Sequence, residues 1–355
     1  MRLLFVGKRE PQQRDLIARP YGRFFHLPVH AAQRGHDVAV LLASHKGAAS
    51  TAIDRDRVRW STCDARSNPL RALAWLDAQA RAFKPDWVVG MSDAWYGWIA
   101  HRLARRMGAR LAVDAYDNYE AYMPWNLPLH LAWRRAVRAA DVVTAAGPQL
   151  ASLLQRSRGA GRRPVDLVPM AADPAFVPHE RRAARALLDL PQDAPLVGYS
   201  GGWAANRGTD VLLAALAQVR ASRPDARLVL TGRPPAHALA TEGVLPLGYV
   251  DDAKLPYVLS ALDVACVITT DSAFGRYSYP AKLCEAMACG VPIVATDSAP
   301  VRWMLGEDTR FLAPMDDADG IATQVLANLA MARVAYPHLP TWDASGDALL
   351  VAVGA

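Results

Sequence analysis

At 355 residues and 52% hydrophobic content, the chain exceeds what one hydrophobic core usually holds, so composition predicts two domains and excludes a chain disordered as a whole. Its four cysteines, Cys63, Cys266, Cys284 and Cys289, form no Cys-x-x-Cys pair and have no histidines at ligand spacing, which excludes a zinc site or a disulfide framework and predicts reduced, buried thiols. The net charge of +6 is uneven: residues 1–170 hold 26 Lys and Arg against 14 Asp and Glu, a balance of +12, and the remainder holds 14 against 20, or −6.

The opening MRLLFVG meets Lys8, Arg9 and Glu10 too soon for a signal peptide and predicts a first β-strand. Nowhere do about 18 apolar residues run together, so no spanning helix is expected, and the location expected is cytoplasmic, at most resting on the inner face of a membrane. Short apolar or β-branched runs at 3–6, 38–42, 87–90, 110–113, 142–145 and 165–168 alternate with longer helical stretches, which predicts a parallel sheet covered by helices. The Pro-punctuated segment VPMAADPAFVPHE (168–180) interrupts this rhythm, and it resumes at 196–199, 227–230, 264–268 and 292–295. The expected domains are therefore 1–170 and 171–335, with 336–355 a segment returning to the first. Parallel α/β sheets bind ligands beyond the carboxyl ends of their strands. Two of them facing each other across a cleft suit a transfer from which water is kept out.

In the first half, MSDAWYGW (91–98) offers Asp93, Trp95 and Tyr96 as candidates for holding an acceptor, although aromatic residues on helices also serve as core. In VDAYDNYEAY (113–122), Asp114, Asp117 and Glu120 follow a predicted strand, where catalytic groups gather; capping and turn roles are the other reading. The Asp-x-Asp patterns at 54–56 and 317–319 do not end apolar strands and read as solvated loop acid, so no metal ligand is assigned.

In the second half, YSGGWAANRG (199–208) places Gly201 and Gly202 where a phosphate can approach the backbone, followed by Arg207 and by Thr209 as an expected helix N-cap. In YSYPAKLCEAMACGVPIVATD (277–297), Pro280 fits the first turn and Gly290 the stop of a helix over 281–289, with a strand directly after. The free N–H groups and positive dipole end of such a helix suit a diphosphate. Lys282 in the first turn opposes the dipole unless an anion sits nearby, and Glu285 on the same face fits a ribose diol. A surface Lys–Glu pair is the competing reading.

From residue 198 to about 314 these pieces, with the helix TDVLLAALAQV, the strands LVLTG and LDVACVI, and LGYVDD between them, stand in an order and spacing that resemble the donor domain of glycosyltransferase family 4. The first half resembles that family more faintly, through YGRFFHLPVHAAQRGHDVAVL (21–41). The resemblance implies a GT-B fold of two Rossmann-like domains, with the nucleotide-sugar on the second. It implies that Glu285 binds the nucleotide ribose and Arg207 the diphosphate, among donor-binding residues Gly201, Gly202, Gly232, Tyr277, Ser278, Tyr279 and Lys282. The family's Glu-x7-Glu pair has Tyr277 in place of its first glutamate, and its other basic phosphate ligand falls on Gly202. SYPAKLCE resembles a variant subgroup in which Lys282 supplies the lost charge. The family often carries a histidine near 113–122; none stands here.

The implied activity is a retaining, metal-independent and cofactor-free transfer of a sugar from a UDP- or GDP-sugar to a saccharide or lipid-linked saccharide, in bacterial surface polysaccharide synthesis. Leaving-group charge would be neutralised by Arg207, Lys282 and the helix terminus. The basic first half, with Arg102, Arg105 and Arg106 on one expected helix and Arg134, Arg135 and Arg138 on another, suggests an anionic membrane surface. Nucleic acid is set aside because the arginines are scattered and no nucleic-acid motif accompanies them. Two alternatives remain open: a nucleotide-sugar epimerase or hydrolase on the same fold, and a non-catalytic nucleotide-sugar-binding subunit.

Overall fold

A computed structural model describes residues 1–203 and 207–355; residues 204–206, inside the 199–208 motif, lie outside the described residues. The chain falls into two compact units, Met1–Met170 with Thr341–Ala355, and Ala171–Pro340.

The first unit is built on β1 (Arg2–Lys8), β2 (Asp37–Ser44), β3 (Ala52–Arg55), β4 (Val58–Asp64), β5 (Trp87–Gly90), β6 (Arg110–Ala115), β7 (Val142–Ala145) and β8 (Asp166–Leu167). They form one sheet in the order β3-β4-β2-β1-β5-β6-β7-β8. Every neighbouring pair is parallel except β3 with β4. Consecutive residues of β1, β2 and β5 are buried, as a parallel sheet covered on both faces requires. The β3–β4 hairpin is absent from the sequence expectation.

The helix Trp342–Val353 packs on the helix Arg23–Gln33 within this unit. His30 is held between Asp343 (Nδ1 to Oδ1, 3.2 Å) and Asp347 (Nε2 to Oδ1, 2.8 Å). Gly346 makes the approach possible, since a Cβ there would lie 2.3 Å from the His30 ring. The Ser345 hydroxyl donates to the Pro169 carbonyl at 3.0 Å.

The second unit contains β9 (Leu196–Tyr199), β10 (Arg227–Thr231), β11 (Val244–Gly248), β12 (Val264–Val267), β13 (Ile293–Thr296) and β14 (Leu312–Ala313). Their order is β11-β10-β9-β12-β13-β14, parallel throughout. Gly198 admits the Leu262 side chain directly against β9, at 2.2 Å from where a Cβ would be. Arg185, on the helix Arg181–Leu187, is buried and donates to Asp263 (2.7 Å) and the Ala261 carbonyl (2.9 Å), tying that helix to the strand β12.

In each sheet the chain first builds outward on one side and then on the other. The order reverses between β1 and β5 in the first unit and between β9 and β12 in the second. Strands diverge to opposite sides at such a point and leave a crevice beyond their carboxyl ends, the usual ligand position in open α/β sheets. All four cysteines are buried and unbridged. Among the described residues, no helix is long and apolar enough to cross a membrane.

Candidate functional site

Beyond the carboxyl end of β9 the chain turns through Ser200, Gly201 and Gly202. Gly201 has φ +142°, a conformation L side chains rarely adopt. A Cβ built there would lie 1.8 Å from Lys282 Nζ, so the ammonium occupies the space that the absent side chain leaves. Gly232, at the end of β10 with φ +87°, closes the other side: its Cβ would meet the Gly201 carbonyl at 3.4 Å, and its N–H donates to the Gly248 carbonyl at 2.6 Å. The Tyr199 hydroxyl donates to the Gly202 carbonyl at 3.1 Å, and the Tyr199 ring lies 4.8 Å beneath Lys282 Nζ.

Lys282 opens the helix Ala281–Ala288, whose N-cap Pro280 supplies no side-chain bond to the first N–H groups. Burial pushes its ammonium pKa down to about 8, nearby Arg207 pushes the same way, and Glu285 opposes both. Arg207 places its guanidinium 4.9 Å over the Phe274 ring. Glu285 is buried at 8% exposure, one turn along from Lys282. The structure thus brings Gly201, Gly202, Gly232, Arg207, Lys282 and Glu285 together around the β9/β12 reversal. Two cations and an uncapped helix end can hold a polyanion, and a buried carboxylate can accept from hydroxyl groups.

The remaining donor candidates are arranged differently. Tyr277 is half-buried in a tight turn, Gly275–Tyr277, where a Cβ on Gly275 would strike the Thr270 carbonyl at 2.3 Å. Ser278 is buried beside it. The Tyr279 ring is core, edge-on to Trp303 at 5.9 Å. Gly208, not Thr209, caps the helix Thr209–Ser222, because only glycine fits there: φ is +66° and a Cβ would lie 2.8 Å from Ile268 Cγ2. Thr209 is the first, buried helical residue.

In the first unit, a polar group gathers at the β1/β5 reversal. The Lys8 N–H donates to Ser92 Oγ at 2.8 Å, and Ser92 holds the strained φ of +80°. Asp93 caps the helix Ala94–Met107, accepting from Trp95 N (2.9 Å) and Tyr96 N (3.4 Å); burial raises its pKa, while Lys8, those backbone bonds and His45 oppose the rise. Tyr96 is buried, its hydroxyl 2.8 Å from His45 Nε2. Trp95 is exposed and edge-on to Trp98. Glu10 is 4% exposed; Oε1 accepts from Ser44 at 2.6 Å, and Oε2 has no partner among the described residues. Sequence reasoning passes over Lys8, Glu10, His45 and Ser92. Their signal was position: Lys8 ends β1 with Glu10 just beyond it, Ser92 follows β5 on the other side of the strand order's reversal, and His45 follows the neighbouring β2.

Asp114, Asp117 and Glu120 do not converge on one point. Asp114 is spent on a buried ion pair, with Arg23 Nε and Nη2 at 2.7 Å each and the Thr144 hydroxyl at 2.5 Å. The pair fixes this carboxylate at the end of β6. Asp117 accepts from the Tyr122 hydroxyl at 2.6 Å. Glu120 faces outward and is bidentate with Arg134 at 2.8 and 2.5 Å. Of the Asp-x-Asp patterns, Asp54 lies on β3 and Asp56 in the turn after it, while Asp317 caps the helix Ala318–Asn328.

Comparison with known proteins follows this division. The family model described as "Glycosyl transferases group 1" matches residues 194–330, and that described as "Glycosyl transferase 4-like domain" matches residues 24–171. A D-inositol 3-phosphate glycosyltransferase of Segniliparus rotundus is 30% identical over 219 residues, 52% of this chain and 46% of that protein. The chain thus spans about half the length of that curated relative. Among solved structures, a sucrose-phosphate synthase from Thermosynechococcus elongatus superposes with TM-score 0.74 at 20% identity, covering 99% of this chain and 94% of that one. Anabaena HepE in complex with UDP-glucose superposes with TM-score 0.69 at 14% identity, covering 98% and 94%.

Proposed function

We propose, for a chain of GT-B fold that matches a glycosyl transferase 4-like domain in its first unit and a group 1 glycosyl transferase domain in its second, that the second unit binds a nucleotide-sugar and the first the acceptor of that sugar. One observation carries the donor half of this reading: Lys282 Nζ lies against the Gly201 turn, with Arg207 and Glu285 beside it, at the β9/β12 reversal. A diphosphate seated over Gly201 and Gly202 meets the ammonium, the guanidinium and the N–H groups of the helix Ala281–Ala288. The nucleotide ribose then falls to Glu285. That HepE was solved with UDP-glucose supports a UDP-sugar as the donor to try first.

In this reading the acceptor oxygen approaches the anomeric carbon on the face that the diphosphate leaves; its bond forms as the carbon–oxygen bond to the diphosphate breaks, the acceptor hydroxyl's proton passes to the departing diphosphate oxygen, and configuration is retained. Arg207 and Lys282 stabilise the charge that develops on the departing diphosphate, where fixed cations are worth most. The polar group of the first unit, Asp93 with Glu10, His45 and Lys8, would hold a saccharide or lipid-linked saccharide, with Trp95 as a stacking face. The +12 balance of residues 1–170 supports an anionic membrane surface as a partner on this side, and a role in surface polysaccharide synthesis. A thermal-shift screen of nucleotide-sugars tests the donor half, since a ligand at 100 times its dissociation constant adds about 2.7 kcal/mol. No stabilisation by any nucleotide or nucleotide-sugar would end it.

A further inference from the structure

The first unit carries an open cavity of about 750 Å³ on its surface, framed by His101 and Arg105 of the helix Ala94–Met107, by Leu131, Arg135 and Arg138 of the helix Leu127–Ala139, and by Arg162. The arginines in this region differ in what they meet. Arg102 and Arg106 share Asp77, Arg134 pairs with Glu120, and Arg138 Nε donates to the Ser157 carbonyl at 2.9 Å. Arg105, Arg135 and Arg162 make no ion pair or hydrogen bond among the described residues. Arg105 and Arg135 are close enough to His101 to lower its pKa, after burial does so. Three cations drawn together without a carboxylate repel one another, and a bound anion relieves that repulsion.

The helix Leu127–Ala139 supplies a second, independent observation. Leu129, Trp133, Ala136 and Val137 are buried against the unit, and the Trp133 ring fills the space left by Gly97. The opposite face carries Leu127 (65% exposed) and Leu131 (69%), then Arg134, Arg135 and Arg138, with Trp125 (77%) just before the helix. Residues 127, 131, 135 and 138 share a side at helical spacing. Arginine in a last turn is explained by the helix dipole alone, but exposed Leu and Trp leading into it are not. Apolar residues followed by unpaired cations on one solvent face match a bilayer, where phosphates lie beside the acyl boundary. A nucleic-acid surface would need the arginines and have no use for Leu127 and Leu131.

We propose that this face of the first unit docks on an anionic phospholipid bilayer, with headgroup phosphates seated among Arg105, Arg135 and Arg162 and with Trp125, Leu127 and Leu131 entering the interface. This names the surface behind the membrane partner proposed above. The donor site of the other unit has no part in it, so nucleotide-sugar binding distinguishes the two.

The test is co-sedimentation of the full chain with vesicles of phosphatidylcholine alone and of equal parts phosphatidylglycerol and phosphatidylcholine. The chain is expected to pellet only with the anionic vesicles and to be released at 1 M salt, where the screening length falls to about 3 Å. Substituting Arg105→Gln, Arg135→Gln and Arg162→Gln together lowers partitioning at least about tenfold. Leu127→Ser with Leu131→Ser also lowers it at the low salt concentrations where the parent pellets. Arg57→Gln, Arg71→Gln and Arg81→Gln, which remove the same charge from exposed positions elsewhere on the unit, leave it unchanged. Thermal unfolding and circular dichroism matching the parent show that each variant is folded. Equal recovery with neutral vesicles, a triple variant that pellets like the parent, or a control triple that loses as much would overturn the proposal. So would a single-stranded oligonucleotide that binds the chain through the same three arginines when vesicles are not bound.

Discussion

The Lys282 ammonium lies in the space that a side chain at Gly201 would fill, 1.8 Å from where the Cβ would be. Placing the Gly201→Ala methyl there forces the ammonium away from the β9 turn. It also puts a non-glycine residue at φ +142°, a strain of roughly 1–3 kcal/mol. Because the displaced atom ends a flexible side chain, the fold should survive. Affinity for a nucleotide-sugar is expected to fall at least tenfold, or about 1.4 kcal/mol, in calorimetry. Unchanged affinity would detach Lys282 from the diphosphate.

The pH dependence of donor binding follows from the same residue. The folded-state pKa of Lys282 is down to about 8 from 10.5. Between those values the unfolded chain holds a proton that the folded chain has lost, so this group's contribution to stability improves as pH rises through that window and is a cost below it. A bound diphosphate favours the charged form. Affinity for UDP-glucose should therefore be highest below pH 8 and weaken about tenfold by pH 9, with a proton taken up on binding. Lys282→Arg, which stays charged, should flatten the profile. A parent profile that is already flat would show that the ammonium does not meet the ligand.

Glu285→Gln is expected to weaken nucleotide and nucleotide-sugar equally, by about 1.5–3 kcal/mol, since both carry the ribose and a charge-assisted hydrogen bond is lost. The side chain is 8% exposed and the substitution keeps its shape, so thermal stability serves as the control. A loss confined to the sugar-bearing ligand would move Glu285 from the ribose to the transferred group.

If Arg207, Lys282 and the helix terminus stabilise the leaving group, transfer should continue in excess chelator. Arg207→Ala and Lys282→Ala should each slow transfer at least tenfold, equivalent to about 1.4 kcal/mol at the transition state. Activity abolished by chelator and restored by magnesium or manganese would assign that charge to an ion instead.

The two sheets were legible wherever strands are buried on both faces. The apolar runs at 87–90, 142–145 and 196–199 coincide residue for residue with β5, β7 and β9. The β3–β4 hairpin escaped because AIDR and VRWSTCD mix charges into the strands. Its turn also uses Asp56 (φ +52°) and Arg57 (φ +63°), where glycine or asparagine would have announced a left-handed pair. In the donor half, Lys282 and Glu285 share a helix, so their spacing could be read. The close approach of Gly201 to Lys282 joins separate elements and leaves no trace in either motif. For Asp114, the end of a strand signals a ligand position, and nothing local reveals that Arg23, 91 residues earlier, already occupies it.

That pair supports the last prediction. Arg23 is 1% exposed and Asp114 2%, and the guanidinium meets both carboxylate oxygens. Removing one partner strands a buried charge, so Asp114→Asn and Arg23→Met should each destabilise the first unit by about 3–5 kcal/mol. Replacing both, Arg23→Met with Asp114→Leu, should recover much of that loss, because apolar residues of similar volume often substitute for a buried pair. Thermal unfolding measures the recovery, and transfer by the double variant then separates two roles. Activity that returns with stability makes the pair an anchor for the helix Arg23–Gln33 and the end of β6. A double variant that is stable, binds the donor normally and transfers nothing would restore Asp114 to the chemistry.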